Sequence, residues 1–224
     1  MQSYEVEVKS LLGNPERAEV LRARLRELDP AVKILSRNKQ LNHYFVGGNI
    51  AALAQATDAH LSTQAKVKID DLAARAKEFS VRTREKDGEV LLVVKCSVGD
   101  DTSANGVARM EFEEKVSLAL LELDQLVLSA GFDYQAKWSR EREEYLCRDI
   151  NICLDRNAGY GWLAEFEKVV EAEAEVALAR QEIAALMAEC GASELPQDRL
   201  ERMFAFYNAH WPEYYGTENI FIIE

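Results

Sequence analysis

The chain has 224 residues, 48% hydrophobic and 29% charged, which is ordinary for a folded protein able to bury a substantial core. A formal net charge of −12 argues against a general nucleic-acid binder or a partner of anionic membranes, while leaving room for a local cationic pocket. No apolar run is long enough to span a bilayer and the N-terminus carries no signal-peptide core, so a cytoplasmic location is expected. Cys96, Cys147, Cys153 and Cys190 form no C-x-x-C pair, and His43, His60 and His210 are scattered. Reduced thiols are therefore expected, and any metal is expected to have oxygen ligands.

Residues 4–9 read as a strand with Glu5, Glu7 and Lys9 on one face and Val6 and Val8 on the other. Paired carboxylates beside an ammonium suit a hard divalent cation and an anion bound to it. Asn14-Pro15 then opens a helix with Leu21, Leu25 and Leu28 on its apolar stripe, ending near Asp29-Pro30. Residues 31–46 read as an extended pair or one long strand before the Gly47-Gly48 break. Asn49 can cap a short helix over 50–57, and 63–77 reads as a further helix. Residues 79–85 and 89–98 form a hairpin around Lys86-Asp87-Gly88, followed by a polar loop over 99–106 and a strand over 107–116. Ser117 is expected to cap a leucine-rich helix that stops at Gly131. Strands are expected over 132–147, 149–156 and 161–170. Helices follow over 171–190, ending at Gly191, and from Pro196 onward.

The period-2 rule places charge on one face of nearly every strand. Arg82 and Arg84 share a face, as do Arg109, Glu111, Glu113 and Lys115, while Lys95 lies on one face of its strand. Arg140 with Arg142, Cys153 with Asp155, and Glu165 with Glu167 complete the set. Arg109 and Lys115 read as partners for Glu111 and Glu113, and Lys137 falls on the face away from Arg140 and Arg142. The faces mix arginine with carboxylate, and amphipathic helices are available for the apolar sides. A closed antiparallel sheet with its charged side inward fits both features. Carboxylates for metal and arginines for phosphate are the equipment of phosphoryl transfer.

These elements, in this order, resemble the CYTH domain of the triphosphate tunnel metalloenzyme superfamily, which includes class IV adenylyl cyclases, thiamine triphosphatases and inorganic triphosphatases. The E-x-E-x-K signature is Glu5-Val6-Glu7-Val8-Lys9. Arg82-Thr83-Arg84, Lys95, Arg109-Met110-Glu111-Phe112-Glu113, Arg140-Glu141-Arg142 with Tyr145, Leu154-Asp155 and Glu165-Phe166-Glu167 follow in sequence. The resemblance implies an α+β fold: a closed eight-stranded antiparallel β-barrel, or tunnel, with helices packed outside and a helical C-terminal extension. A tunnel domain over 1–190 is expected, with an aromatic extension over 191–224 packed on it.

By the same resemblance Glu5, Glu7, Glu165 and Glu167 are metal ligands for Mg²⁺ or Mn²⁺, with Asp155 and Glu113 assisting. Lys9, Arg82, Arg84, Lys95, Arg140 and Arg142 hold the phosphates. The catalytic set is Glu5, Glu7, Lys9, Arg82, Arg84, Lys95 and Arg142. Two positions depart from the family pattern: Arg140 stands where lysine is frequent, and Asn42 or His43 where an acid precedes the Tyr-Phe pair. The function implied is metal-dependent hydrolysis of inorganic, nucleoside or thiamine triphosphate, by a monomer or homodimer with neither nucleic-acid nor membrane partners. The alternatives are a class IV adenylate cyclase, which would turn ATP into cyclic AMP and pyrophosphate, and a non-catalytic polyphosphate- or nucleotide-binding module.

Overall fold

The structure, a computed structural model, describes residues 4–76, 78–97 and 109–223, the side chains of 97 and 109–111 excepted. The elements are β1 (Tyr4–Gly13), α1 (Pro15–Leu28), β2 (Lys33–Gly47), α2 (Ile50–Thr57), α3 (Thr63–Arg75), β3 (Glu78–Lys86), β4 (Glu89–Ser97) and β5 (Arg109–Val116). They continue with α4 (Leu120–Ser129), β6 (Phe132–Cys147), β7 (Ile150–Asn157), β8 (Gly161–Val170), α5 (Val176–Glu189) and α6 (Gln197–Tyr214). The fold is α+β. Its eight strands form one antiparallel sheet in the order β1-β8-β7-β6-β2-β3-β4-β5. The residues divide into two compact units, one of 4–38 with 140–223 and one of 39–97 with 109–139.

In the first unit β1, β7 and β8 present Val6, Val8, Ile152, Leu154, Ala164 and Phe166 to a core shared with α1 and α5. Helix α1 starts where the Asn14 side chain accepts the Arg17 N–H (3.0 Å), with Pro15 in the first turn, and it buries Leu21 and Leu25. Each such leucine is worth about 1.5–3 kcal/mol of transfer free energy. Arg22 fastens the helix to β6 by donating from Nε to Glu143 (2.8 Å) while stacking over Trp162. The C-terminal segment docks on the β7–β8 turn. Gly159 N–H donates to Asn219 O, and Phe221 N–H donates back to Gly159 O. Gly159 has φ 88°, and a Cβ there would meet the Tyr207 ring at 2.6 Å, so only glycine lets α6 approach this closely.

In the second unit Val81, Leu92, Val94 and Phe112 pack beneath α2, α3 and α4 with Leu53, Ile69, Leu72, Leu123 and Val127. The β3–β4 hairpin turns through Asp87 and Gly88, both at positive φ, as the Asp-Gly pair predicts. In both units the helices cover the apolar side of the strands, and the charged residues occupy the other.

Several expectations need correction. The helix expected from Ser117 starts at Leu120. Ala119 occupies the cap position, and its N–H donates to the Glu122 carboxylate (2.9 Å). The helix expected from 171 starts at Val176 after a single 3-10 turn, Glu173–Glu175. Lys115 pairs with Glu89 (2.5 Å), an exposed partner on β4, and the expected pairing of Arg109 and Lys115 with Glu111 involves side chains outside the described residues. Val98, the loop 99–106 and Val107 lie outside the described residues.

Candidate functional site

The first unit gathers most of the acids. Along β1, Val6 and Val8 are buried while Glu5 and Glu7 are exposed, so the E-x-E-x-K alternation is realised as a strand with two unlike faces. Pairing with β8 sets Glu7 opposite Glu167 and Lys9 opposite Glu165. Carboxylate oxygens of Glu5, Glu7 and Glu167 all lie within 4.8 Å of one another. Like charges so close across a strand pair repel unless a cation joins them. Lys9 meets that need in part: it pairs with Glu7, and its Nζ lies 3.6 Å from Glu165.

Beside this cluster the β6–β7 register sets Arg142 opposite Asp155. Arg142 donates from Nε to Asp155 Oδ1 (2.7 Å) and from a terminal nitrogen to Asp155 Oδ2 (2.5 Å). It also reaches Glu165 (2.6 Å), and Arg140 donates to Asp155 at 3.1 Å. Asp155 is only 1% exposed, so its charge is carried by these two guanidinium groups. Burial opposes the charged form of Glu165, but Arg142, Lys9 and Arg140 outweigh it and hold its pKa below the ordinary carboxylate value. Burial likewise opposes charge on Arg142, and Asp155 and Glu165 overcome it, raising its pKa. Cys153, two residues from Asp155 on β7, is pushed up to about 12 by burial and stays a neutral thiol.

The second unit carries Arg82, Arg84, Lys95 and Glu113. β2 pairs with β3 so that Asn42 faces Arg84 and Tyr44 faces Arg82. Arg84 donates from Nε to Asn42 Oδ1 (2.9 Å) and from a terminal nitrogen to Glu113 (3.1 Å). Arg82 donates to Tyr44 Oη (3.0 Å) and lies over that ring, 5.6 Å from its centroid. Lys95 sits opposite Ser80 on β4. Lys137 is 4.0 Å from Asp124 and 4.2 Å from the centroid of the Tyr134 ring.

Of the expected metal ligands, then, Glu5, Glu7 and Glu167 come together as an acidic trio, with Lys9 paired to Glu7. Glu113, Asp155 and Glu165 are each engaged by arginine. Asn42 and Tyr44 are functional candidates that sequence reasoning passed over. No local signal could have found them, since each becomes the cross-strand neighbour of one arginine in Arg82-Thr83-Arg84 only through the β2–β3 register. The profile of the CYTH domain family matches residues 3–199.

The chain belongs to the CYTH domain family. Its CYTH fold is similar to that of a candidate adenylate cyclase from Vibrio parahaemolyticus, with a TM-score of 0.59 and 16% identity over 92% of this chain and 99% of that one. It is also similar to a conserved hypothetical protein from Pyrococcus furiosus, at TM-score 0.58 and 16% identity over 85% and 92% of the two chains. A candidate adenylyl cyclase from Hippeastrum, described as revealing a dominant triphosphatase activity, aligns at TM-score 0.52 and 14% identity, covering 92% and 96%. No curated protein matches the chain significantly. Among the described residues, no helix is long and apolar enough to cross a membrane.

Proposed function

We propose that this CYTH protein is a metal-dependent enzyme that hydrolyses inorganic, nucleoside or thiamine triphosphate. The observation that carries this reading is the acidic trio of Glu5, Glu7 and Glu167, drawn from both ends of the domain sequence, next to paired arginines on the same face. The trio fits a divalent cation. Its donors are all carboxylate oxygens, two of its members are exposed and the third half-buried, and its mutual repulsion is relieved by bound positive charge. Glu5, Glu7 and Glu167 would hold Mg²⁺ or Mn²⁺. Such an ion, when bound, neutralises phosphate oxygens and makes a coordinated water more acidic.

In this reading Lys9, Arg140 and Arg142 of the first unit and Arg82, Arg84 and Lys95 of the second bind phosphate oxygens. Guanidinium forks match phosphate bidentately and meet the charge that builds on the leaving oxygen as the phosphoryl group transfers. Asp155 and Glu165 fix Arg142 in advance, and Asn42 and Tyr44 do the same for Arg84 and Arg82, so less side-chain entropy is lost when substrate arrives. Glu113 steadies Arg84 from a second direction.

The test is a screen of inorganic triphosphate, ATP and thiamine triphosphate with Mg²⁺, Mn²⁺ or a chelator, reading both phosphate release and cyclic AMP. Metal-dependent phosphate release from at least one substrate is expected. Cyclic AMP as the main product from ATP would replace hydrolysis by cyclisation. Binding without turnover on every substrate would leave a non-catalytic triphosphate-binding module.

A further inference from the structure

Behind the arginine-bearing strands of the second unit lies a buried acid that the site has not yet used. Asp124 on α4 is 0% exposed and shares its helix stripe with Leu120, Leu123 and Val127. An apolar residue would pack there as well, and burying a carboxylate is costly unless it is fully bonded. It is bonded from three strands. Thr83 of β3 donates to Oδ1 (2.6 Å) and Tyr134 of β6 donates to Oδ2 (2.7 Å), while His43 Nδ1 of β2 lies 2.7 Å from Oδ2. Burial works against the charged form, yet these bonds outweigh it and lower the pKa of Asp124. Facing an ionised oxygen, Nδ1 of His43 is the protonated ring nitrogen.

The register gives this network its meaning. His43 stands directly opposite Thr83, and the adjacent cross-strand pairs are Asn42 with Arg84 and Tyr44 with Arg82. Successive strand residues point to opposite faces, so His43 and Thr83 turn toward α4 while both flanking pairs turn the other way. On that other face lie the bonds from Arg84 to Asn42 and from Arg82 to Tyr44. We propose that Asp124 is a positioning residue for Arg82 and Arg84. By tying His43 and Thr83 to one carboxylate, it fixes the segment of β2 and β3 from which both guanidinium groups project. The inference rests on the triphosphate reading for the use of those arginines, but not for their placement.

Two measurements test it on the full chain. The first is calorimetric titration with inorganic triphosphate in the absence of metal. The second is the Nε–Hε proton–nitrogen NMR peak of Arg84 in the ligand-free protein. Asp124→Asn keeps the shape but sets an NH₂ against the Tyr134 and His43 donors. Thr83→Val removes one donor, Thr83→Ser restores it, and Leu123→Ala loosens α4 without touching the acid. Asp124→Asn and Thr83→Val are expected to weaken triphosphate binding by about tenfold and to move the Arg84 peak, as misplacement of charge-assisted donors does. Thr83→Ser should return both to wild type, and Leu123→Ala should change affinity by less than about twofold, since it is not coupled to the arginines.

If Asp124→Asn does not fold, Thr83→Val with its serine rescue carries the test. Wild-type affinity and an unmoved Arg84 peak in Thr83→Val would overturn the positioning role while leaving the triphosphate reading intact. Equal losses in Thr83→Val and Leu123→Ala would also overturn it, because general loosening would then suffice. No triphosphate binding by the wild type would overturn the triphosphate reading, and with it any use of the positioned arginines, whatever the NMR peak does.

Discussion

In the first unit Arg142 is gripped by two carboxylates, Asp155 and Glu165, and Arg140 shares Asp155 with it. In the second unit Arg82 and Arg84 lean on neutral groups, Tyr44 and Asn42, with Glu113 as one acidic contact. The first arrangement neutralises its arginines beside the acidic trio of Glu5, Glu7 and Glu167, where Lys9 offsets part of the charge. The second orients its arginines against an amide and a phenol as well as an acid. Under the proposed function, a metal ion calls for the first kind of surface and phosphate oxygens for the second.

That contrast breaks most sharply at Glu7. Glu7→Gln should lower metal-dependent triphosphate turnover by about 10²–10³-fold, the usual loss when one preorganised charge is removed from a phosphoryl or acyl transfer site. Thermal stability should hold or rise, since Glu7 faces Glu167 across the sheet. Unchanged turnover at saturating Mn²⁺ would remove Glu7 from the site. Asp155 carries the next effect. Asp155→Asn strips a buried counter-charge from Arg142 and Arg140, and a cost of about 3–5 kcal/mol in urea unfolding is expected. A loss below about 1 kcal/mol, the range of exposed pairs, would show that solvent already satisfies those arginines.

Arg82 supplies the counterpart in the second unit. Arg82→Ala removes the bond to the Tyr44 phenol and the contact with its ring, and should cost less stability than Asp155→Asn, which strips a buried counter-charge. Triphosphate affinity should fall about tenfold, the scale of one charge-assisted contact. A stability loss matching that of Asp155→Asn would erase the distinction between the units.

How much of this could be read from residues alone depends on how local each feature is. The unlike faces of β1 and β8 follow from a two-residue period and were legible. That Glu7 faces Glu167 was not, because no local signal pairs strands from opposite ends of a domain. The Arg142–Asp155 pair lies between. The β6–β7 hairpin turns at Arg148-Asp149, both at positive φ, and counting back from Cys147 and Ile150 brings Arg142 opposite Asp155. Placing that two-residue turn would have shown the ion pair, but neither residue is the usual glycine, so the turn carried a weak signal. The start of α4 was misplaced because its cap comes from Glu122 inside the helix rather than from Ser117 before it. Asp124 did advertise itself, as an acid in an apolar stripe, but its partners sit on three strands that only tertiary pairing assembles.

The smallest expected effect concerns acid pH and one buried carboxylate in each unit. Glu165 and Asp124 both have pKa values below the ordinary range: burial opposes ionisation in each, and arginine and lysine charges in one case and hydrogen bonds in the other overcome it. A carboxylate lowered in this way stabilises the fold fully above its unfolded value, about 4.3 for Glu and 3.9 for Asp. That contribution is lost as pH falls through the lower folded value, where the native state must take up the proton. The urea midpoint should therefore stay flat from pH 7 to about pH 5 and then decline. Glu165→Gln removes one titrating group from that decline, so the gap between wild type and variant should narrow as pH drops below about 4.3. A gap that stayed constant across that range would mean that Glu165 titrates alike in the folded and unfolded chains, and that the grip of Arg142 and Lys9 on it is no stronger than that of water.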